Sequence, residues 1–426
     1  MTDQRRPYAG ARVVLGVTGG IASYKSAWLA RLLTKAGAQV DVVMTSAARE
    51  FIGAITFEAL TGRPVHSNIF EEGRALEHVK LGRDSDAIVV APATADFLAR
   101  AAAGQASDML GAILLAAKAP VLLVPAMNDQ MWAHAQTQAN VARLRELRYH
   151  ILEPDNGDLA AGEGAGPGRM PEPGTIMAYV GRLLEKRHSL AGLNVLVTAG
   201  PTREAVDPVR FISNRSSGKM GIAVAEAAWR RGAAVTLVAG PLEVTPPAGV
   251  QLVRVETTAE MSDAVGTLLP DKDILIMAAA PADFRPAASA RDKIKRAQGP
   301  RAIELESTAD ILTTTRDRRK KSATVVGFAL ETRELVASAE KKLAEKGLDL
   351  VVANDALEPG AGFSGDTNRV TMVYPNGTRE TLALMPKSAV ADEILDRVER
   401  IRSGGSQRGD GGAATGGRRD VNGRKG

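Results

Sequence analysis

Short runs of aliphatic and β-branched residues recur along the chain. Between them lie stretches whose apolar positions return every three to four residues. The runs at 12–17, 39–44, 86–91 and 120–124 predict buried strands. After the first run, Ala27, Leu29, Leu32 and Leu33 mark one face of a helix. Phe97, Leu98 and Ala101 mark another, closed by Gly104, and 108–117 forms a third. A helix over 175–187 carries Ile176, Val180, Leu183 and Leu184 on one side, and the pattern breaks at 188–192. The alternation resumes at Leu193. Strands are predicted at 194–198, 234–238, 251–255, 274–278, 324–329 and 348–352, and helices near 219–231, 258–268, 308–316 and 333–346. Runs at 370–373 and 379–384 flank Pro375-Asn376-Gly377 as a hairpin, and a last helix covers 387–402.

Strands alternating with helices imply an α/β protein. Its parallel sheets are covered by helices on both faces, and its ligands lie beyond the carboxyl ends of the strands. A chain of 426 residues exceeds one ordinary core. Two domains are expected, 1–190 and 191–402, with the boundary near 188–191. Residues 403–426 form a Gly- and Arg-rich tail expected to lack fixed structure.

Composition narrows the function classes. The chain has no cysteine, which removes disulfides and thiolate metal sites and fits a reducing compartment. No apolar run is long enough to cross a bilayer, and no charged-then-apolar leader precedes the first strand. The expectation is a cytoplasmic protein with no membrane partner. The net charge is +5, and the tail supplies five basic residues against two acidic ones. Outside the tail no stretch interleaves basic residues with aromatics, so a nucleic-acid partner is not expected.

The candidate chemistry sits in turns. Thr18-Gly19-Gly20-Ile21-Ala22-Ser23 joins a strand to a helix, an arrangement that lets backbone N–H groups approach a phosphate. The spacing is not G-x-G-x-x-G, and the second strand ends in Thr45-Ser46, not in the acid that would hold an NAD ribose. Both departures argue against a nicotinamide dehydrogenase and suit a flavin phosphate better. Pro92-Ala93-Thr94-Ala95-Asp96 and Pro125-Ala126-Met127-Asn128-Asp129-Gln130-Met131-Trp132 end later strands, so these turns can share one pocket. In the second half, residues 206–221 (VDPVRFISNRSSGKMG) lead from a strand into a helix. Their Arg210, Asn214, Arg215 and Lys219, set around Ser216, Ser217, Gly218 and Gly221, suit a phosphate or carboxylate ligand. Ala278-Ala279-Ala280-Pro281-Ala282-Asp283-Phe284 ends a further strand ahead of Lys293-Ile294-Lys295. Lys342 and Lys346 share one helix face. Taken alone, these last two features read as a solvated loop and an exposed charged stripe.

By these motifs, in this order, residues 10–402 resemble a family of bacterial bifunctional enzymes of coenzyme A synthesis. In that family an FMN-dependent phosphopantothenoylcysteine decarboxylase precedes a phosphopantothenate–cysteine ligase. The resemblance implies a flavodoxin-like flavoprotein domain followed by a Rossmann-like ligase domain. It places FMN at Gly19, Gly20, Ile21, Thr45, Ser46, Thr94, Ala95, Asp96 and Ala126. His78, in Glu77-His78-Val79-Lys80-Leu81, takes the position of the family's catalytic base, and Asn128 that of the residue holding the substrate carboxylate. In the ligase half the resemblance sets Ala279, Asp283, Lys293, Thr308, Asp310, Phe328, Lys342 and Lys346 around CTP. Lys293 is implied to stabilise charge during nucleotidyl transfer, and Asn214, with Arg210 nearby, to act on an acyl-cytidylate. Mg2+ is expected with the triphosphate, held largely by phosphates and water, because no cluster has metal-ligand spacing. A homo-oligomer is also implied.

One position departs from the family. Its flap reads G-x-L-A-C-G, and the Cys supplies a proton to the final reduction. Residues 157–162 read Gly-Asp-Leu-Ala-Ala-Gly, so Ala161 stands in place of that Cys. The motif Gly168-Arg169-Met170-Pro171-Glu172-Pro173 keeps the register. The expectation is a protein that makes phosphopantothenoylcysteine and decarboxylates it to 4′-phosphopantetheine. The alternative is an active ligase whose flavin domain is stalled or regulatory.

Overall fold

The computed structural model describes residues 8–70, 76–159, 162, 164–295, 302–331, 335–355 and 365–405. Ala161 and residues 406–426 lie outside the described residues. The chain divides into two compact units. The first is Met1–Gly192 with Ala228–Ala234 and Thr245–Val250; the second is Leu193–Ala227 with Val235–Val244 and Gln251–Gly426.

The first unit contains strands β1 (Arg12–Val17), β2 (Gln39–Met44), β3 (Ala87–Ala93), β4 (Val121–Pro125) and β5 (His150–Ile151). They pair in parallel in the order β2-β1-β3-β4-β5. This is the flavodoxin-type order, and it reverses direction between β1 and β3. Helices α1 (Ser23–Lys35), α2 (Ala54–Thr61), α3 (Glu77–Asp84), α4 (Ala95–Ala102), α5 (Met109–Ala116), α6 (Asp129–Ala133), α7 (Ala135–Glu146) and α8 (Pro173–Leu184) connect and cover them. The strand alternation divides the core. Val13, Leu15 and Val17 pack with Leu29, Leu33, Phe57, Ile176 and Val180. Val14, Ile88 and Val90 pack with Phe97, Leu110, Ile113 and Leu144. A Cβ on Gly16 would lie 2.6 Å from the Leu110 side chain, so glycine lets α5 sit close to β1. Periodicity missed α2, α3 and α7. In α7 only Thr137, Val141 and Leu144 are buried, a stripe too thin to signal a helix. Strands β6 (Asp155–Asp158) and β7 (Ala165–Arg169) form an antiparallel arm.

The second unit contains β8 (Asn194–Ala199), β9 (Arg203–Ala205), β10 (Phe211–Ser213), β11 (Ala234–Ala239), β12 (Gln251–Arg254), β13 (Ile274–Met277), β14 (Phe284–Pro286), β15 (Leu305–Ser307), β16 (Thr324–Glu331) and β17 (Leu350–Asp355). Short strands β18 (Thr367–Asn368), β19 (Thr371–Val373), β20 (Arg379–Thr381) and β21 (Met385–Pro386) follow. The main sheet runs β12-β11-β8-β13-β16-β17-β19-β20, with antiparallel pairing at β17–β19–β20. Helices α9 (Lys219–Arg230), α10 (Thr258–Leu268), α11 (Ile311–Thr314), α12 (Leu335–Lys346) and α13 (Lys387–Gly405) complete it. Leu196, Leu275, Val325 and Val351 from the sheet meet Met261, Val265, Ala339 and Leu343 from the helices in the core.

Two predicted elements change. The helix expected over 308–316 shrinks to α11, because the Asp310 side chain accepts the Thr313 N–H as an N-cap and Leu305–Ser307 pairs with β14 instead. The last helix continues to Gly405, so residues 403–405, expected in the tail, are helical. No helix among the described residues is long and apolar enough to cross a membrane.

Gly240 closes the turn beside the end of β8. A Cβ there would fall inside the Pro201 carbonyl oxygen, which is backbone and cannot rotate away. Gly240→Ala is expected to lower the stability of the second unit by about 3 kcal/mol. Chemical denaturation of the variant measures this, and an unchanged midpoint would show that the Pro201 turn yields freely.

Candidate functional site

In the first unit the turns after β1, β2 and β3 meet at one sheet edge. Thr18, at the end of β1, donates its hydroxyl to Pro92 O at 2.8 Å and accepts the Thr94 N–H at 3.1 Å. This pair of bonds spans the point where the strand order reverses. Ser23 donates to Gly20 O at 2.6 Å, which shapes the turn entering α1. Thr45 N–H bonds Val17 O, bringing Thr45 and Ser46 beside that turn. A Cβ on Gly19 would collide with Ala47, so the backbone approach to the β2 turn requires glycine. Gly19, Gly20, Ile21, Thr45, Ser46, Thr94 and Ala95 are thus gathered along adjacent strand ends. Asp96 lies in the first turn of α4, and its carboxylate pairs with Arg100. Ala126 follows β4 and donates its N–H to Ala93 O, which ties it to the same edge.

Asn128 is the N-cap of α6. Its side-chain oxygen accepts the Gln130 N–H at 2.9 Å. That bond leaves the amide nitrogen as the end suited to an anionic group. His78 lies half-buried in the first turn of α3, and no hydrogen bond joins it to Asn128. The β6–β7 arm docks beside Asn128: Met127 N–H bonds Gly168 O at 3.0 Å, and a Cβ on Gly168 would strike Met127 O. The arm's base is pinned to α1. The buried Lys25 ammonium donates to Met170 O at 2.7 Å and to Glu172 at 3.0 Å. Glu172 is held below the usual carboxylate value chiefly by its hydrogen bond from Lys25.

In the second unit a cavity of about 540 Å3 opens at the carboxyl edge of the sheet. Asn214, Ala279, Asp283, Thr308, Asp310, Phe328, Lys342 and Lys346 all line it. The hydrogen bonds explain how they converge. Asn214 donates its amide to Ala280 O and Pro281 O at 3.2 and 2.9 Å. Ala279 N–H bonds the buried Thr198 hydroxyl at 3.1 Å. Thr308 donates to Ala282 O at 2.6 Å. Lys342 donates to Phe328 O, and Lys346 pairs with Asp310. Burial pushes the Asp310 carboxyl up, but the bonds from Lys346 and Thr313 N–H outweigh it and leave it below the usual carboxylate range. Lys293 and Arg210 are not among the residues lining the cavity; both side chains are exposed.

Asp207 connects the segments carrying those two residues to each other, and sequence reasoning passed over it. Its buried carboxylate accepts the Val209 and Arg210 N–H groups on one oxygen, both at 2.8 Å. The other oxygen takes the Ile294 N–H at 3.2 Å and the Arg210 guanidinium at 3.4 Å. The neighbour of Lys293 is therefore tied to the turn carrying Arg210. Burial alone would raise this carboxyl, but the Val209, Ile294 and Arg210 N–H groups favour its ionised form and hold it below its ordinary value. The only available signal was an acid two residues ahead of a turn, too common to single out. Thr202 and Thr258 were also missed: their hydroxyls bond each other at 2.8 Å, and Thr202 accepts the Ala282 N–H. Among the described residues no group of three or more His, Asp or Glu is placed to hold a metal ion.

Comparison with known proteins covers both units. A family model described as Flavoprotein matches residues 1–185, and one described as DNA/pantothenate metabolism flavoprotein C-terminal domain matches residues 190–401. A curated relative from Mycobacterium bovis, named Coenzyme A biosynthesis bifunctional protein CoaBC, is 45% identical over 419 residues, covering 95% of this chain and 99% of that one. The same-named protein of Bacillus subtilis is 42% identical over 394 residues, covering 91% and 97%. A solved structure titled as the C-terminal domain of that bifunctional protein is 41% identical, covers 51% of this chain and 99% of its own, and aligns with a TM-score of 0.44.

Asp207→Asn tests the tether. Asn keeps an oxygen for the Val209 and Arg210 N–H groups but turns an NH2 toward the Ile294 N–H. Hydrogen exchange at the Ile294 amide is expected to accelerate at least about tenfold while the Val209 and Arg210 amides stay protected. Unchanged exchange at Ile294 would show that Asp207 does not hold the Lys293 segment. Because the Asp207 value is depressed in the folded state, its stabilisation is complete above the ordinary carboxylate range, near pH 4. It is lost as pH falls through the depressed value, so wild-type Ile294 protection should fade only in acid.

Proposed function

The chain belongs to the family of the coenzyme A biosynthesis bifunctional proteins, and from that premise we propose how its two units divide the chemistry. The second unit joins 4′-phosphopantothenate to L-cysteine at the expense of CTP. The first decarboxylates the product to 4′-phosphopantetheine. The observation that supports this reading best is the cavity of the second unit, which gathers eight residues from separate segments of the chain around one space.

In the ligase reaction the substrate carboxylate attacks the α-phosphate of CTP, giving an acyl-cytidylate and pyrophosphate. The cysteine amine then displaces CMP. Phe328, Lys342, Lys346 and Asp310 hold the nucleotide, and Ala279, Asp283 and Thr308 shape the strand ends beneath it. Lys293, exposed and outside the cavity wall here, would have to move in with its loop to offset charge developing in nucleotidyl transfer. Asn214, fixed through its amide on Ala280 and Pro281, orients the acyl-cytidylate, and Arg210, which pairs with Asp207 outside the cavity wall here, is the second residue assigned to that step. Mg2+ accompanies the triphosphate and is held mainly by phosphate and water.

The turns of the first unit fit an FMN phosphate and ring. Gly19 lets its turn lie against the β2 turn, and the Thr18 bonds to Pro92 and Thr94 fix the ends of β1 and β3 at the strand-order reversal, where such a ligand would bind. FMN held at those turns would supply reversible two-electron chemistry: oxidation of the thiol-bearing carbon to a thioaldehyde gives the electron sink that carboxylate loss needs, and the same two electrons return in the final reduction, so no outside oxidant is consumed. His78 moves the proton in that step, and the Asn128 amide nitrogen holds the departing carboxylate. Ala161 has no proton to give, so the last protonation draws on water. The second reading, a flavin domain that is stalled or regulatory, rests on that same residue. A cytoplasmic homo-oligomer that acts on small molecules completes the proposal.

Incubation of the purified protein with FMN and phosphopantothenoylcysteine, read by product mass, tests the first unit. Conversion to 4′-phosphopantetheine is expected. A product two hydrogens lighter would favour the stalled reading, and unchanged substrate with FMN bound would overturn the decarboxylase assignment. Asn128→Ala is expected to slow decarboxylation about 100-fold with flavin absorbance retained. A rate within twofold of wild type would remove Asn128 from the site.

A further inference from the structure

Lys25 lies in the first turn of α1, between two serines that fix that helix to the strand ends. Ser23 donates its hydroxyl to Gly20 O and Thr18 O at 2.6 and 3.1 Å. Ser26 donates to Ala91 O at 2.6 Å. The start of α1 is therefore tied both to the turn after β1 and to β3. Lys25 is 6% exposed, and its ammonium goes to the arm, where it donates to Met170 O at 2.7 Å and to Glu172 at 3.0 Å. Met170 follows β7 directly, and Glu172 is the N-cap of α8. The Glu172 side chain makes no cap bond; the same oxygen that takes Lys25 also takes the guanidinium of Arg169, the last residue of β7, at 2.6 Å.

The other side of β7 rests on the turn that carries Asn128. Gly168 O accepts the Met127 N–H at 3.0 Å, and a Cβ on Gly168 would lie 2.2 Å from Met127 O. A Cβ on Gly166 would lie 3.0 Å from the Asp129 Cβ. Met127 and Asp129 flank Asn128, so β7 meets this turn on both sides of it. A buried ammonium is an expensive way to fill space, and an apolar side chain would avoid its desolvation. What the ammonium adds is direction, because a charge-assisted bond to one carbonyl and one carboxylate sets the end of β7 against α1. Glu172, held below the usual carboxylate value chiefly by that bond, stays ionised at neutral pH.

We propose that Lys25 is a positioning residue for the decarboxylation: it fixes the end of β7 on α1, and β7 in turn holds Asn128 where the departing carboxylate must be oriented. This rests on the decarboxylase reading above. Lys25 acts through Met170, Gly168 and Met127, not by contact with the substrate. The bond to CO2 breaks fastest when it stands perpendicular to the plane of the neighbouring π system, so a small error in orientation lowers the rate more than the binding.

The test uses the full chain loaded with FMN and the variants Lys25→Met, Lys25→Arg and Glu172→Gln. Each is checked for an intact thermal transition, and rates are normalised to bound flavin. Lys25→Met is expected to lower kcat for decarboxylation about 10- to 100-fold, with KM for phosphopantothenoylcysteine changed by less than about threefold. Lys25→Arg keeps donors for Met170 and Glu172 and is expected to recover most of the loss. Glu172→Gln keeps an acceptor and is expected to lower kcat only about three- to tenfold. Combined with Asn128→Ala, Lys25→Met is expected to slow the reaction by no more than about threefold beyond Asn128→Ala alone, since both changes act on one residue. Hydrogen exchange at the Met127 amide is expected to accelerate about tenfold in Lys25→Met. A folded, flavin-loaded Lys25→Met with kcat within about twofold of wild type overturns the proposal. Losses that multiply in the double variant overturn it too, because Lys25 would then support the fold without acting through Asn128. If Lys25→Met does not fold, Glu172→Gln takes its place in the same cycle. Wild-type protein that leaves the substrate unchanged would instead overturn the decarboxylase reading. The Met127 exchange would still judge the link from Lys25 to the Asn128 turn, and unchanged protection would overturn it.

Discussion

A buried threonine hydroxyl at the end of the first strand organises each unit. In the first, Thr18 bridges the ends of β1 and β3 through Pro92 and Thr94. In the second, Thr198 accepts the Ala279 N–H and so bridges the ends of β8 and β13. Parallel strands buried on both faces leave their last backbone groups unpaired at the carboxyl edge. A hydroxyl, donor and acceptor at once, can satisfy two such groups in a space too small for a longer side chain. The net gain of such a bond is about 1 kcal/mol, but an unmade bond at a buried backbone group costs more. The candidate sites therefore grow where the sheets most need polar partners.

From that edge outward the bonding becomes less local and the groups more charged. Thr202 and Thr258 meet beneath the Ala282 turn, and Asn214 is fixed on the carbonyls of Ala280 and Pro281. Asp207 then ties the Arg210 turn to the Lys293 segment. Of these groups Asn214 lines the cavity with its amide already oriented before a ligand binds, whereas Arg210 and Lys293 lie outside the cavity wall. The first unit works likewise: the buried Lys25 holds the base of the β6–β7 arm, and Gly168 lets that arm press on the Asn128 turn.

Much of the fold was legible in the chain. β1 to β4 and the core strands of the second unit announce themselves because strands buried on both faces must be continuously apolar. Elements that lean on one face with few apolar residues did not. Helix α7 buries three residues, and α3 carries only Leu81 and Gly82 inside. The 308–316 helix was overestimated because its periodicity ignored Asp310, whose side chain starts α11 where an uncapped helix would have started earlier. For the sites, the motifs drew attention to turn residues with donors, and the cavity of the second unit gathers many of them. Asp207, Thr202 and Lys25 gave no such signal, because a lone acid, hydroxyl or lysine has no periodicity and no motif of its own.

The sequence by itself determined the fold class, the alternation of strands and helices and the succession of glycine- and asparagine-bearing turns. All of these follow from local pattern, since burial on two faces, helix starts and tight turns each restrict residue type over a few positions. Only the tertiary structure decided which turns share a space. Lys219 and Lys387 are far apart in the chain, yet both line one cavity, and Lys219 pairs with Asp366. Asp207 reaches Ile294 across 87 positions. Such pairings depend on strand order and on how distant segments fold back on the sheet, quantities that no short window of residues encodes.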